Sequence, residues 1–264
     1  MKSSTFLLFF LLIMSSCTSS SSSFEWDFDQ PKKFTYSFKQ TLEAENKMGK
    51  DLDPMNYSMQ ANGWITVQVK DNQLANVSLK NAKAAMVYQN PDGSPRDTLH
   101  QPLPAVVIQN MQSNGQFKDA PKENPFDILF PLPLEELKEG ATYALPMKMP
   151  FNANGSPLYI EGFNTLTFTG YKEVAGINCA VLEGIIQVDQ LDIPEEIEGE
   201  YASSMMGKGF YYFDTQNHYY VGADVQATIQ MSSKTSTAME GEQFNFDMEM
   251  TSKNLYTLRL MEIE

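Results

Sequence analysis

Apolar and polar residues alternate with a period of two along much of this chain, the pattern of strands buried on one side. Residues His218–Met231 show it best. Tyr219, Val221, Ala223, Val225, Ala227, Ile229 and Met231 share one face; His218, Tyr220, Gly222, Asp224, Gln226, Thr228 and Gln230 share the other. A slip of one residue would invert the whole set, so the register is tightly specified. Val225 and Ile229 sit near the middle and are expected to be the most buried. The same logic predicts strands over Phe34–Leu42, Trp64–Val69, Leu74–Lys80, Ala84–Tyr88, Ala105–Met111, Thr142–Met149, Asn164–Glu173, Ile177–Val188, Gly207–Asp214, Gln243–Thr251 and Asn254–Ile263. Turn residues stand between several of them, as in Asn90-Pro91-Asp92-Gly93, Val174-Ala175-Gly176 and Thr215-Gln216-Asn217. Ala44–Asn62 is polar, with Met48, Met55 and Met59 scattered through it. It is expected to be a long turn and part of a returning strand.

About a dozen strands and little helix indicate an all-β, antiparallel architecture. Alternation leaves each sheet one wet face. The covered face meets either a second sheet, in a sandwich, or the concave side of a curved half-barrel. Pro121–Pro133 carries four prolines around Phe126, Ile128, Leu129, Phe130 and Leu132. Proline removes ladder donors, so this stretch is expected to cross the sheet and bury apolar side chains. Leu134–Glu139 is expected to add one helical turn. The β-rich region, residues 32–264, divides near 119–133 into two halves that could each contribute one sheet.

The chain begins differently. Lys2 precedes an unbroken apolar run, Phe6–Met14, then Ser15, Ser16, Cys17 and a serine tract from Ser19 to Ser23. The run falls short of the ~18 residues that span a bilayer, and its order is that of a secretory signal. The segment resembles a bacterial lipoprotein signal. That resemblance implies cleavage after residue 16, lipid such as palmitate on Cys17, and a flexible tether over 17–31. No acidic residue precedes Glu25, which points to the periplasmic face of the outer membrane. The net charge of −14 excludes a cationic footprint for nucleic acid. With Cys17 lipidated, Cys179 stands alone and no internal disulfide is available.

Gly207-Lys208-Gly209-Phe210-Tyr211-Tyr212-Phe213-Asp214, a short turn and a long alternating strand resemble a family of uncharacterised bacterial lipoproteins. The likeness extends to the Leu132–Pro146 and Gly170–Val188 stretches. Families of this shape are similar to the curved antiparallel sheets of periplasmic lipoprotein carriers. The resemblance implies an architecture and supplies no catalytic residue.

Candidate chemistry is sparse. His100 and His218 have no Cys or His at zinc-ligand spacing. Gly-x-Ser-x-Gly is absent. Cys179 lies inside a strand, where free cysteine is usually a small buried apolar group and not a nucleophile. Asp189, Asp192, Glu195, Glu196, Glu198 and Glu200 offer oxygen ligands for calcium, without EF-hand spacing. Asp97-Thr98-Leu99 matches a short bacterial O-glycosylation acceptor, with Thr98 as the modified residue. Methionine suits adaptable apolar surfaces, so Met231, Met248 and Met250, with Phe244 and Phe246, are candidates for an apolar-ligand face. The first functional expectation is a non-catalytic cell-envelope lipoprotein acting as an interaction or structural module, anchored to the membrane through Cys17. The second is a periplasmic carrier of an apolar ligand such as an acyl chain. An enzyme ranks last, and no cofactor is implied.

Overall fold

A computed structural model describes residues 22–49, 53–90, 92–118, 124–153, 156–239 and 242–264. Cys17 and the segment before it lie outside the described residues. Eleven strands run in chain order: β1 (Lys33–Met48), β2 (Met55–Val69), β3 (Ala75–Gln89), β4 (Pro95–Pro102), β5 (Val106–Met111), β6 (Thr142–Ala153), β7 (Ser156–Val174), β8 (Ile177–Leu191), β9 (Glu200–Asp214), β10 (Tyr219–Met239) and β11 (Glu242–Ile263).

All eleven belong to one curved, unclosed antiparallel sheet ordered β4-β3-β2-β1-β11-β10-β9-β8-β7-β6, with β5 also on β3. The two halves do not form two sheets. Each is a meander, and they merge where β1 pairs with β11 from Phe34↔Ile263 to Met48↔Met248. Several strands are longer than their clearest alternation. Ala44–Asn62 is no long turn: β1 continues to Met48 and β2 begins at Met55. The proposed pairs Leu74–Lys80 with Ala84–Tyr88, and Gln243–Thr251 with Asn254–Ile263, are the single strands β3 and β11. The register shift of β2 against β3 next to Gly63 explains the apparent break in β3. His100 and Thr98 lie in strand β4. Leu134–Glu139 forms no helical turn.

The inner face collects the core. Phe34, Tyr36 and Phe38 of β1 meet Ile65 and Val67 of β2, and Leu182, Tyr211, Phe213, Ala223 and Val225 from the second meander. Two segments outside the strands cover this part of the face. Residues 22–28 bring in Phe24, Trp26 and Phe28, all buried. The proline-rich stretch brings in Phe126, Leu129, Phe130 and Leu132, as its composition predicted. Residues 24–28 are therefore core, and any tether ends before them. Aromatic edges lock the seat: Trp26 packs on Phe34, Phe130 and Tyr220, and Phe24 on Phe168 and Phe213. The buried Tyr220 hydroxyl donates to the Pro131 carbonyl, and the Tyr36 hydroxyl donates to the Tyr220 carbonyl at 3.0 Å. Ser22 and Leu137 exchange backbone hydrogen bonds at 2.9 and 3.1 Å, tying the two covering segments together.

Glycine shapes the β8–β9 floor. A Cβ on Gly209 would lie 2.5 Å from the Tyr211 hydroxyl oxygen, and one on Gly184 would meet the same ring. The Gly-Lys-Gly-Phe-Tyr-Tyr motif thus places a Tyr ring flat over strand glycines. In β10 the pairing shifts between Tyr220 and Gly222. The bulge turns Tyr220 into the core and Val221 to the outer face. From Ala223 onward the odd residues face inward, as predicted. Val225 is 0% exposed, whereas Ile229 is only half-buried because it lies beyond the covering segments.

Val225→Asp is expected to unfold the domain, since an unpaired buried charge costs several kcal/mol against a total stability of about 5–15 kcal/mol. Gln226→Asp, on the exposed face, is expected to melt within a few degrees of the parent. Thermal melts of the two variants check this, and equal melting temperatures would contradict the inward assignment.

Candidate functional site

The inner face has two regimes. Over the rows from Phe34 to Phe38 it is filled by the covering segments. Among the described residues, the covering segments do not reach the far ends of β1, β2, β10 and β11. There β1 presents Leu42, Ala44, Asn46 and Met48 inward, since these continue the parity of Phe34, Tyr36 and Phe38. Opposite them on β2 stand Met59, Tyr57 and Met55, through Leu42↔Met59, Ala44↔Tyr57 and Asn46↔Met55. On β11 stand Asn254, Ser252, Met250 and Met248. On β10, Ile229 pairs with Ser252 and Met231 with Met250. Met86 and Tyr88 extend the rows onto β3, and the Tyr57 and Tyr88 rings lie 6.1 Å apart.

The result is a trough lined with methionine. Met48 and Met55 are 49% and 43% exposed; Met59, Met86, Met231, Met248 and Met250 are half-buried. The structure therefore brings together Met231, Met248 and Met250 from the predicted set. Phe244 and Phe246 pair with Thr237 and Thr235 and hold register positions on the same face; their side chains lie outside the described residues. Met48, Met55, Met59, Met86, Tyr57 and Tyr88 escaped the sequence reading. The signal was present, because Met55, Tyr57, Met59 and Ala61 alternate with Asn56, Ser58 and Gln60. Scattered Asn and Gln obscured it.

A polar band separates the filled and open regimes. Gln40 Nε2 donates to Asn254 Oδ1 at 3.1 Å, and Asn254 Nδ2 donates to Ser252 Oγ at 3.2 Å. Charged side chains keep to the outer face. Lys39, Glu43, Glu45 and Lys47 alternate with the inward set on β1, as do Asp247, Glu249, Lys253 and Arg259 on β11. On that face Arg259 Nη2 contacts both carboxylate oxygens of Asp224 at 2.7 Å, beside Tyr212. Cys179 belongs there too, in a small cluster with Val181, Tyr212 and Val221. It is fully buried, and burial raises its thiol to about 11, with Asp214 adding to the shift. A group held protonated at neutral pH suits packing, not attack.

The other predicted positions do not converge. Thr98 is exposed on β4, where its backbone N–H donates to Asp97 Oδ1 at 2.8 Å. Among the described residues, no three His, Cys, Asp or Glu side chains gather as metal ligands, so the 189–200 acids are spread.

One carboxylate is strongly perturbed. Asp127, in the covering segment, is raised from 3.8 to about 6 by burial, against the opposing hydrogen bond from Asn124. It lines a cleft of about 320 Å³ with Asn114, Phe117, Phe130, Leu145 and Pro146.

No protein-family model matches the chain, and no curated protein sequence matches it. Solved structures similar to it include one described as lipid–protein interactions in lipovitellin, at 13% identity and a TM-score of 0.47, covering 89% of this chain and 26% of that one. The chain thus spans about a quarter of that chain's length. A DUF1329 family protein from Desulfovibrio piger is 9% identical with a TM-score of 0.17, covering 87% of this chain and 85% of that one. No residue role follows from identities this low.

Asp127 generates a pH prediction. Its folded value lies above the unfolded one, so between 3.8 and about 6 the folded state holds more proton than the unfolded state. Stability contributed by this group is full below that window and falls as pH rises through it. Asp127→Asn is expected to flatten the decline of melting temperature across the window and to melt higher than the parent at neutral pH. Parallel profiles for the two proteins would contradict the burial of this carboxyl.

Proposed function

We propose that this protein is an envelope lipoprotein, anchored through Cys17, that binds and carries an apolar ligand such as an acyl chain along the inner face of its sheet. The observation that carries the reading is the uncovered methionine trough. An apolar surface left open beside a well-filled core has a cost in water, and a binding role accounts for its retention. Methionine is unbranched and polarizable, so it repacks around flexible chains better than Leu or Ile. A concave, largely apolar face with a few polar groups is the usual form of a lipid or cofactor site. An interaction module would be favoured by two flat sheets filling one another, whereas this sheet is single and curved.

The residues divide the work. Aromatic packing of Trp26, Phe130 and Tyr220 fills the inner face at the end beyond the trough. Met231, Met248, Met250, Met48, Met55 and Met59 form its walls. Binding, and no bond-making chemistry, is the role these side chains support. The N-terminal segment enters the fold at Ser22 beside Leu137, which leaves a lipid on Cys17 a short tether of Thr18 and serines.

Two measurements test this. An apolar fluorophore is expected to brighten with the parent protein, and Met250→Glu is expected to weaken its binding about tenfold or more, a change of ~1.4 kcal/mol, while moving the melting temperature little at a half-buried site. Absence of dye binding by the parent, or equal binding by the variant, would sink the trough as a site. Separately, Cys17→Ala is expected to move the protein from the detergent phase to the aqueous phase on cell fractionation. Retention in detergent would remove the anchor.

A further inference from the structure

Across the rows from Gln40 to Met48, the inward residues of β1, β2, β9, β10 and β11 are neutral. On β1 they run Gln40, Leu42, Ala44, Asn46, Met48; on β2, Met55, Tyr57, Met59, Ala61; on β10, Val225, Ala227, Ile229, Met231, Ser233; on β11, Met248, Met250, Ser252, Asn254, Tyr256. On β9 they are Tyr201, Ser203, Met205, Gly207 and Gly209. An ionised carboxylate or phosphate seated there would meet no cation. Burying such a charge without a partner is strongly unfavourable.

Neutral does not mean without polarity. The pairs Asn46↔Met250, Met250↔Met231 and Met231↔Ser203 align four adjacent strands in one row. Asn46 and Ser203, the outer members of these four, carry hydrogen-bonding atoms that are buried and lack a partner, Asn46 Oδ1 and Ser203 Oγ. Ser203 is 7% exposed. One to three rows away, Ser252, Asn254 and Gln40 form a chain of hydrogen bonds, Gln40 donating to Asn254 and Asn254 to Ser252. A buried polar atom left open is costly unless something completes it.

We infer that the trough selects an uncharged acyl lipid bearing a hydroxyl or ester group, such as an acylglycerol, over an ionised fatty acid or a plain hydrocarbon. This rests on the trough being a lipid site. The apolar chain lies against Met231, Met248 and Met250, while a ligand hydroxyl donates to Asn46 Oδ1 or an ester carbonyl accepts from the Ser203 hydroxyl. The ligand's charge state and its polar group are thus set by two separate features, the absence of inward cations and the two open hydrogen-bonding atoms.

The test uses the full-length protein loaded with an apolar fluorophore. Displacement is measured with a monoacylglycerol, the fatty acid of the same chain and the unsubstituted alkene of the same chain, at about pH 9 so that the acid is ionised. The monoacylglycerol is expected to compete best, about tenfold ahead of the acid. Asn46→Leu with Ser203→Ala is expected to lower monoacylglycerol affinity about five- to tenfold and to leave the alkene unchanged. Ser204→Ala, on the opposite face of the same strand, is expected to change neither. Equal or tighter binding of the fatty acid, or a double variant that binds the monoacylglycerol like the parent, would overturn the inference while the apolar trough stands. If none of the three ligands displaces the fluorophore, the trough itself fails as a lipid site, and the inference falls with it.

Discussion

The pairing of the first strand with the last is the constraint on which the structure depends. β1 and β11 are separated by nearly the whole sequence, yet they form a ladder from Phe34↔Ile263 to Met48↔Met248. Without it there would be two meanders, each with an exposed edge and half of a core. With it, Tyr36 and Phe38 of the first meander face Leu258 and Leu260 of the last strand, and the aromatic residues of both halves share one interior. Such a non-local contact is entropically costly to close and must be repaid by packing. The repayment is local to one end, where Trp26 and Phe130 wedge between the meanders.

That location explains why the sheet has a filled end and an open end. The covering chain is short. Residues 22–28 and the described part of the proline-rich stretch, 124–133, cover Phe34, Tyr36, Tyr220 and Phe213 rather than Met48 or Met248. Strands of this length run on past their own cover. The far rows are then paired and well ordered in the ladder sense, while their inward side chains stay partly exposed. The filled end supplies stability, and the open end leaves its methionines partly exposed. A Gln40–Asn254–Ser252 chain of hydrogen bonds marks the boundary.

Charge follows the same division. On β1, and on β11 from Asp247 onward, the acidic residues sit on the outward parity. The inward parity of β1, β2, β9, β10 and β11 across these rows is neutral, so a ligand proposed for the trough would be held by shape, dispersion and a few hydrogen bonds. The protein's field would neither steer an anionic headgroup into the trough nor neutralise it once there.

The sequence by itself determined the strand class, the single-sided burial and most of the register, because a two-residue period is a local property that survives without knowledge of partners. It also marked the proline-rich stretch as a buried crossing and Cys179 as a packed thiol. Three things were decided only in three dimensions. One sheet or two depends on whether β1 finds β11, and a hydrophobic pattern does not name its partner. The bulge at Val221 reversed parity for Tyr220, since the shift depends on the β9 ladder and not on the residue's own neighbours. The methionine trough emerged because Met48, Met55 and Met59, from what read as a polar turn, were brought level with Met231, Met248 and Met250. Each of those residues looks ordinary in its own stretch; strand pairing across the β1–β11 seam puts them in common rows, and the limited reach of the covering chain leaves them open.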